Sequence, residues 1–190
     1  MQAFFSMLAE SFDLPILDWI QSNLQCGFLD FIMPIITLFG DAGIFWIACS
    51  VILLLIPKYR KVGLSMGFAL LLGLLVCNVT LKPLCQRIRP YDYQLQYFQR
   101  EIVLLIEAQH DFSFPSGHTI ASFEACTALM IRNKKLGIPA TILAIMIAFS
   151  RMYLYVHYPT DVIASVILGV AFGFIGCALG DKLAQKLPKL

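Results

Sequence analysis

Five stretches of this chain are apolar over close to the length a helix needs to cross a bilayer, about 20 residues. The first covers about 35–56, through TLFGDAGIFWIACSVILLLIP. The others cover about 62–82, 117–132, 136–150 and 160–181. That pattern limits the fold more than any other feature, because backbone polar groups inside lipid must pair within their own segment. Composition agrees. Only 14% of the 190 residues are charged and 59% are apolar, whereas a soluble domain carries about 25% charged residues. Mean hydropathy is +0.78. So short a chain has too much surface for a core to absorb that excess. The expectation is therefore all-α: a polytopic membrane helix bundle of about five to six transmembrane helices, forming a single membrane-embedded domain over 1–190.

Residues 1–34 mix acidic and aromatic side chains (Glu10, Asp13, Asp18, Trp19, Asp30) and are expected to form interfacial helices. The transmembrane core is expected over 35–181. A sixth, short crossing fits 26–38, where Gly40-Asp41-Ala42-Gly43 interrupts the pattern. The start, MQAFFSMLAESFDLP, has no basic n-region and no small-residue cleavage site, so it does not resemble a secretory signal peptide. Net charge is +2 with no basic block, which gives nucleic acid no footprint. The six cysteines form no C-x-x-C pair, so a zinc site is not expected. A pairing of Cys26 with Cys85 stays open.

Charge in the short loops orients the chain. Lys58, Arg60 and Lys61, then Arg132, Lys134 and Lys135, then Lys182, Lys186 and Lys189 all fall on one side of a five-span bundle. Cytoplasmic loops carry such an excess, so the loop 83–116 and the turn 151–160 are expected outside. Arg87, Arg89, Arg100 and Arg151 are then exceptions that need another explanation.

Three segments should meet on that outer face: Lys82–Pro90, Pro115–His118 and Ser150–Asp161. Helix ends distant in sequence converge at one end of a bundle, which is how bundle sites are built. Lys82, Arg89 and Arg151 supply three fixed positive charges, and Arg forks match phosphate oxygens. Ser116, Gly117 and His118 stand where a helix begins, and its free N–H groups favour an anion. Asp161 follows His157 by four residues and could accept its second ring N–H, as the acid does in a Ser-His-Asp triad. Two histidines beside three cations point to split roles, one attacking phosphorus and the other protonating the leaving oxygen. Taken singly, each residue has a plainer explanation: a snorkelling Lys82, an interfacial His157, a helix cap at Ser116. Those explanations do not account for every charge-rule exception lying on the face that holds both histidines. Three cations would also repel a divalent ion, so no metal and no cofactor are expected.

At these residues the sequence resembles the type-2 phosphatidic acid phosphatase superfamily. That family's three-part signature is Lys, six residues, Arg-Pro; then Pro-Ser-Gly-His; then Ser-Arg, five residues, His, three residues, Asp. Here it stands as Lys82…Arg89-Pro90, Pro115-Ser116-Gly117-His118, and Ser150-Arg151…His157…Asp161. The resemblance implies His157 as nucleophile, Asp161 as its orienting partner and His118 as general acid. It implies phosphate binding by Lys82, Arg89, Ser116, Gly117 and Arg151. It also implies a phosphatase working through a phosphohistidine on a lipid-linked phosphate or diphosphate; the hydropathy and the Lys/Arg clusters lead to the expectation of a multi-pass cell-membrane protein with that site on the extracytoplasmic side. Short members of the family include undecaprenyl diphosphate phosphatases and phosphatidylglycerophosphate phosphatases. Undecaprenyl diphosphate is the preferred expectation, with phosphatidylglycerophosphate, phosphatidate or phosphoryl transfer to another lipid as alternatives. Some undecaprenyl-type enzymes carry Asp where Gly117 stands.

A vanadium haloperoxidase, with a similar anion site, is much larger and soluble. A lipid-phosphate binding or transport protein with a dead site would be expected to lack one histidine, and both are present. Oligomeric state is open. Outside the signature, Glu124 lies inside a span, where carboxylates are costly and tend to be functional; it could pair with a cation or face a polar cavity. His110-Asp111 is expected as a loop pair. Residues 93–108, which hold the run IVLLI, are expected as a membrane-hugging lid or a loop packed on the bundle.

Overall fold

The computed structural model describes residues 2–186; Lys189, one of the basic positions, lies outside them. Among the described residues the chain is helical with no strand. Helix α1 (Gln2–Leu8) passes through a π-helical turn at Ala9–Asp13 into α2 (Leu14–Leu24). Then come α3 (Gly27–Leu38), α4 (Ile44–Leu55), α5 (Arg60–Gly73), α6 (Lys82–Cys85) and α7 (Pro90–Phe98). The last three are α8 (Gly117–Arg132), α9 (Lys134–Tyr153) and α10 (Pro159–Lys186).

Among the described residues four helical stretches are long and apolar enough to cross a membrane: Gly27–Leu55, Pro57–Phe98, Lys134–Tyr153 and Pro159–Lys186. Their outward faces carry large apolar side chains such as Phe31, Ile52, Leu75, Ile142 and Phe174, which suit lipid tails and would be unusual in water. The first crossing differs from the expected 35–56. The chain leaves helical geometry at Ala42 (φ 48°) and Gly43 (φ 67°), so α3 and α4 are separate helices. Only a residue without a Cβ takes a positive φ freely, and Gly43 supplies one of the two. Helix α3 is the short apolar segment expected as a sixth crossing at 26–38, and the break after it falls at the Gly40–Gly43 interruption. Helix α9 has 20 residues, longer than its expected span of 136–150. Helix α8 has 16, about 24 Å against a ~30 Å hydrocarbon core.

Helices α5, α8 and α10 form the centre, with α9 on α8, α4 on α5, and α2 and α3 on α9. Small residues let them approach. A Cβ on Gly176 of α10 would come within 2.5 Å of the Ser65 carbonyl oxygen on α5, so the two backbones touch there. At that same end Arg132 ties the three central helices together. It donates to Ser65 Oγ (3.1 Å) and Cys177 O (2.7 Å) and pairs with Asp181 at 2.9 Å. The basic clusters therefore share one end of the bundle. All six cysteines are free.

Candidate active site

The signature residues gather at the opposite end. Each arrives on a helix terminus or a short turn. After α5 the chain continues as a π-helical segment, Leu74–Leu81, into α6, which opens with Lys82. Gln86 ends α6 with φ 47°, freeing residues 86–89 to bend inward before Pro90 starts α7 at the position proline favours. The turn between α9 and α10 is pinned by Leu154 N–H to Ser150 O (2.8 Å) and His157 N–H to Arg151 O (3.2 Å). That turn places His157, 1% exposed, against Arg89.

Hydrogen bonds assign the ring tautomers. Arg89 Nη1 lies 3.3 Å from His157 Nε2. Arginine can only donate, so Nε2 presents its lone pair and Nδ1 carries the proton. Burial, with Arg89, Arg151 and Lys82 close by, pushes the His157 imidazole well below its usual range. The ring is neutral at pH 7, with its lone pair turned towards the cations. His118 is the reverse case. Its Nε2 lies 2.6 Å from Asp41 Oδ1 and 3.2 Å from Arg151 Nη1. A carboxylate needs a donor, so the shorter contact puts the proton on Nε2. Arg151 Nη1 then satisfies itself on Thr37 Oγ1 at 2.6 Å. The two rings thus present opposite faces to the cations, a lone pair on His157 Nε2 and an N–H on His118 Nε2.

The cations differ in what holds them. Arg89 donates to Val156 O (2.7 Å) and Asp111 O (2.8 Å). Both Lys82 and Arg89 also pair with the Asp111 carboxylate. Burial alone would raise the Asp111 carboxyl, yet Lys82 and Arg89 outweigh it and bring it down to about 2. Arg151, 1% exposed, leaves Nε and Nη2 buried without a protein partner. Unpaired guanidinium N–H groups in a buried site cost free energy until an anion meets them.

Three expected contacts take another form. Asp161 Oδ2 is 3.6 Å from His157 Nδ1, and Nδ1 has no hydrogen-bond partner. The carboxylate is engaged elsewhere, by Arg87 Nη1 (2.5 Å), Ser113 Oγ (2.5 Å) and Tyr158 N–H (3.1 Å). Ser116 is fully buried as the N-cap of α8, accepting from Thr119 N–H at 3.4 Å, and its own N–H donates to Ser165 Oγ at 2.9 Å. It shapes the helix start, while Gly117 and His118 line the cavity. The segment 93–108 is α7 followed by a loop whose Ile102, Leu104 and Ile106 pack on the bundle, the second of the two expected forms. That loop delivers Asp111 to the cations, while His110 stays exposed.

Beneath the histidines a chamber of about 680 Å³ runs down between α4, α5 and α8. Its rim carries Lys82, Arg89, Arg151, His118 and His157; its lower walls carry Ile47, Leu54, Gly67 and Leu71. Glu124 lines it, 1% exposed, with Oε2 unpartnered. The carboxyl fits only because residue 73 is glycine, where a Cβ would stand 2.3 Å from Oε2. Among the described residues no three His, Cys, Asp or Glu side chains group to hold a metal.

The pattern of the PAP2 superfamily matches residues 62–183, more than half the chain. The chain belongs to the PAP2 superfamily. It is a multi-pass membrane lipid phosphatase of that type. It is 30% identical over 152 residues to an undecaprenyl-diphosphatase of Sulfolobus acidocaldarius, covering 80% of this chain and 70% of that one. The fold matches the crystal structure of Aquifex aeolicus LpxE with a TM-score of 0.73 at 23% identity, over 87% of this chain and 94% of that one. It also matches a transmembrane PAP2-type phosphatidylglycerolphosphate phosphatase from Bacillus subtilis, with a TM-score of 0.68 at 25% identity over 95% and 94%. The PAP2 match begins at residue 62, so Asp13, Thr37 and Asp41 lie outside it. Sequence reasoning missed them as site residues, along with Arg87 and the pairing of Asp111. The one trace of Asp41 was the Gly40–Gly43 interruption.

Proposed function

We propose that this phosphatase acts on a tail-borne phosphate at the outer membrane face, without a metal, through a phosphohistidine on His157. The observation that carries the reading is Arg151: two buried guanidinium nitrogens, Nε and Nη2, with no protein partner, beside a neutral His157 lone pair and a proton-bearing His118. His157 Nε2 forms a bond to phosphorus as the phosphorus–oxygen bond to the lipid breaks. His118, converted to imidazolium beside Asp41 by the incoming phosphate, gives a proton to the leaving oxygen. Lys82, Arg89 and Arg151 neutralise the oxygens that remain on phosphorus. Water then attacks phosphorus, His118 takes its proton, the nitrogen–phosphorus bond breaks, and orthophosphate leaves.

Undecaprenyl diphosphate is the proposed substrate. Its tail is wholly apolar, matching the lower chamber, and a relative that is 30% identical carries that activity in its name. A second reading, a glycerophospholipid phosphate, has its own support in Glu124, six residues and about 9 Å along α8 from His118. A glycerolipid places ester or hydroxyl oxygens at that depth, and a polyprenyl chain places none. The outward site follows from the basic end of the bundle, by the positive-inside rule.

The test is phosphate release by purified protein on undecaprenyl diphosphate, phosphatidylglycerophosphate, phosphatidate and a water-soluble ester, with and without EDTA. Fastest turnover of the diphosphate, unchanged by EDTA, is expected. Loss in EDTA restored by one specific metal would refute the metal-free mechanism. Sidedness is tested in a background stripped of native cysteines. Val103→Cys, 86% exposed, should react with an impermeant thiol reagent on intact cells, and Lys134→Cys should not. Labelling at 134 alone would invert the topology.

A further inference from the structure

Arg87 is among the most deeply enclosed charges in the protein, although the sequence marks it only as an exception to the charge rule. It is 2% exposed and bridges two fully buried carboxylates. Nη1 donates to Asp161 Oδ1 at 2.5 Å and to Thr160 Oγ1 at 2.8 Å; Nη2 donates to Asp13 Oδ2 at 2.6 Å. The guanidinium lies 3.8 Å from the Tyr158 ring centroid and 4.9 Å from that of Phe5. Asp13 in turn accepts from Thr160 N–H (2.9 Å) and Oγ1 (2.7 Å), capping the start of α10. Two carboxylates and one guanidinium leave the trio with one net negative charge, set directly behind His157.

We propose that Arg87 is a positioning residue for the phosphoryl-transfer step, which with Asp13 sets how strongly Asp161 acts on the His157 ring. The geometry gives the mechanism, presupposing His157 as the nucleophile proposed above. Arg87 draws Asp161 Oδ1 to itself. Ser113 and the Tyr158 N–H hold Oδ2, which stays 3.6 Å from His157 Nδ1. In this arrangement Asp161 is near enough to steady the Nδ1 proton, yet too occupied to draw the ring into a tight ion pair. A tight ion pair would stabilise imidazolium and remove the lone pair that attacks. Asp13 sets the balance from the other side, since its charge offsets part of the Arg87 charge felt by Asp161.

The remaining charges around His157 are Arg89, which precedes α7, Lys82 on α6, Arg151 on α9 and His118 on α8; Cys85 and Tyr158 are the other titratable groups near Asp161. None of these changes when the trio is altered. Only the net charge behind His157 does, and it changes in opposite senses. Asp13→Asn leaves the trio neutral and favours the uncharged ring. Arg87→Gln leaves two negative charges and favours imidazolium.

The experiment is the pH dependence of kcat/KM on dihexanoyl phosphatidate in detergent. Its acid limb reports the ionisation of the attacking ring in the free enzyme. Arg87→Gln should move that limb up by roughly one unit or more, the effect of a charge a few ångströms away. Asp13→Asn, further from the ring, should move it down by roughly half a unit. Arg87→Lys should keep it near its original place. The double variant Asp13→Asn/Arg87→Gln, which restores one net negative charge, should return it towards the wild type. Arg87→Gln strands two buried carboxylates and can fail to fold; the near-isosteric Asp13→Asn then decides alone. A limb that stays fixed in Asp13→Asn, or that moves the same way in both single variants, would overturn the proposal. His157→Ala in the same assay separates the two claims. Surviving turnover there defeats the nucleophile assignment, whereas a dead His157→Ala beside a fixed limb in Asp13→Asn defeats only the role of Arg87.

Discussion

Two carboxyl groups line the same chamber and are treated in opposite ways. At the rim, Asp111 is held by Lys82 and Arg89 while its side chain stays 55% exposed. Deeper down, Glu124 is 1% exposed and Oε2 meets no donor. The rim is built to neutralise charge, with cations from α6, α9 and the segment before α7 converging on one point. The lower chamber is built mainly from apolar side chains and glycine, its Ser50 hydroxyl is spent on Gly63 O, and it holds a carboxyl group with no charge to balance it. The rim should therefore govern the chemical step for every substrate, and the lower chamber should govern which lipid is preferred.

The largest effect expected from that contrast is at the rim. His118→Ala removes the proton donor, and kcat should fall by about 10²–10⁴-fold by a similar factor on every lipid phosphate tested. A loss confined to one lipid would break the contrast, because it would make a rim residue a selector.

Glu124→Leu probes the lower chamber. On a glycerophospholipid phosphate it should lower kcat/KM about fivefold, the worth of one hydrogen bond near 1 kcal/mol. On a polyprenyl diphosphate it should leave the rate unchanged or raise it. The same change removes a buried unsatisfied group, so the melting temperature should rise. Equal losses on both substrates would show that Glu124 does not distinguish them.

Asp111→Asn should have the smallest effect. A half-exposed carboxylate competes only weakly with substrate for Lys82 and Arg89, by about 0.5–1 kcal/mol. KM should therefore fall about two- to fivefold with kcat nearly constant, measured by initial rates. A rise in KM would mean that Asp111 binds substrate rather than competing with it.

The sequence made the central frame legible for physical reasons. Hydrophobic runs of membrane length and Lys/Arg clusters act over whole helices, so they survive errors of a few residues. The signature positions were equally plain, since Lys82, Arg89, His118, Arg151 and His157 do meet at one end of the bundle. Partners were not legible. Asp13, Asp41 and Asp111 lie outside the three signature segments, and which carboxylate reaches which cation depends on how α1–α3 and the 99–116 loop pack. The division of Gly27–Leu55 into two helices hung on two residues of positive φ, a local event that a hydropathy pattern averages away. The open bond between His157 and Asp161 was hidden for the same reason: a spacing of four residues brings two side chains near each other but cannot tell that Arg87 has already taken one of them.

The central claim is that phosphorus is transferred to His157 before water. Its most direct measurement is rapid quenching of the purified protein with ³²P-labelled lipid phosphate, denaturation in alkali, and mapping of the labelled peptide. The account predicts label on the peptide containing His157, stable in alkali and lost in acid as a phosphoramidate should be. The label should accumulate only where breakdown of the intermediate is slowed relative to its formation, and be absent from His157→Ala. Label on His118, or turnover by a folded His157→Ala protein with no trapped intermediate, would contradict it.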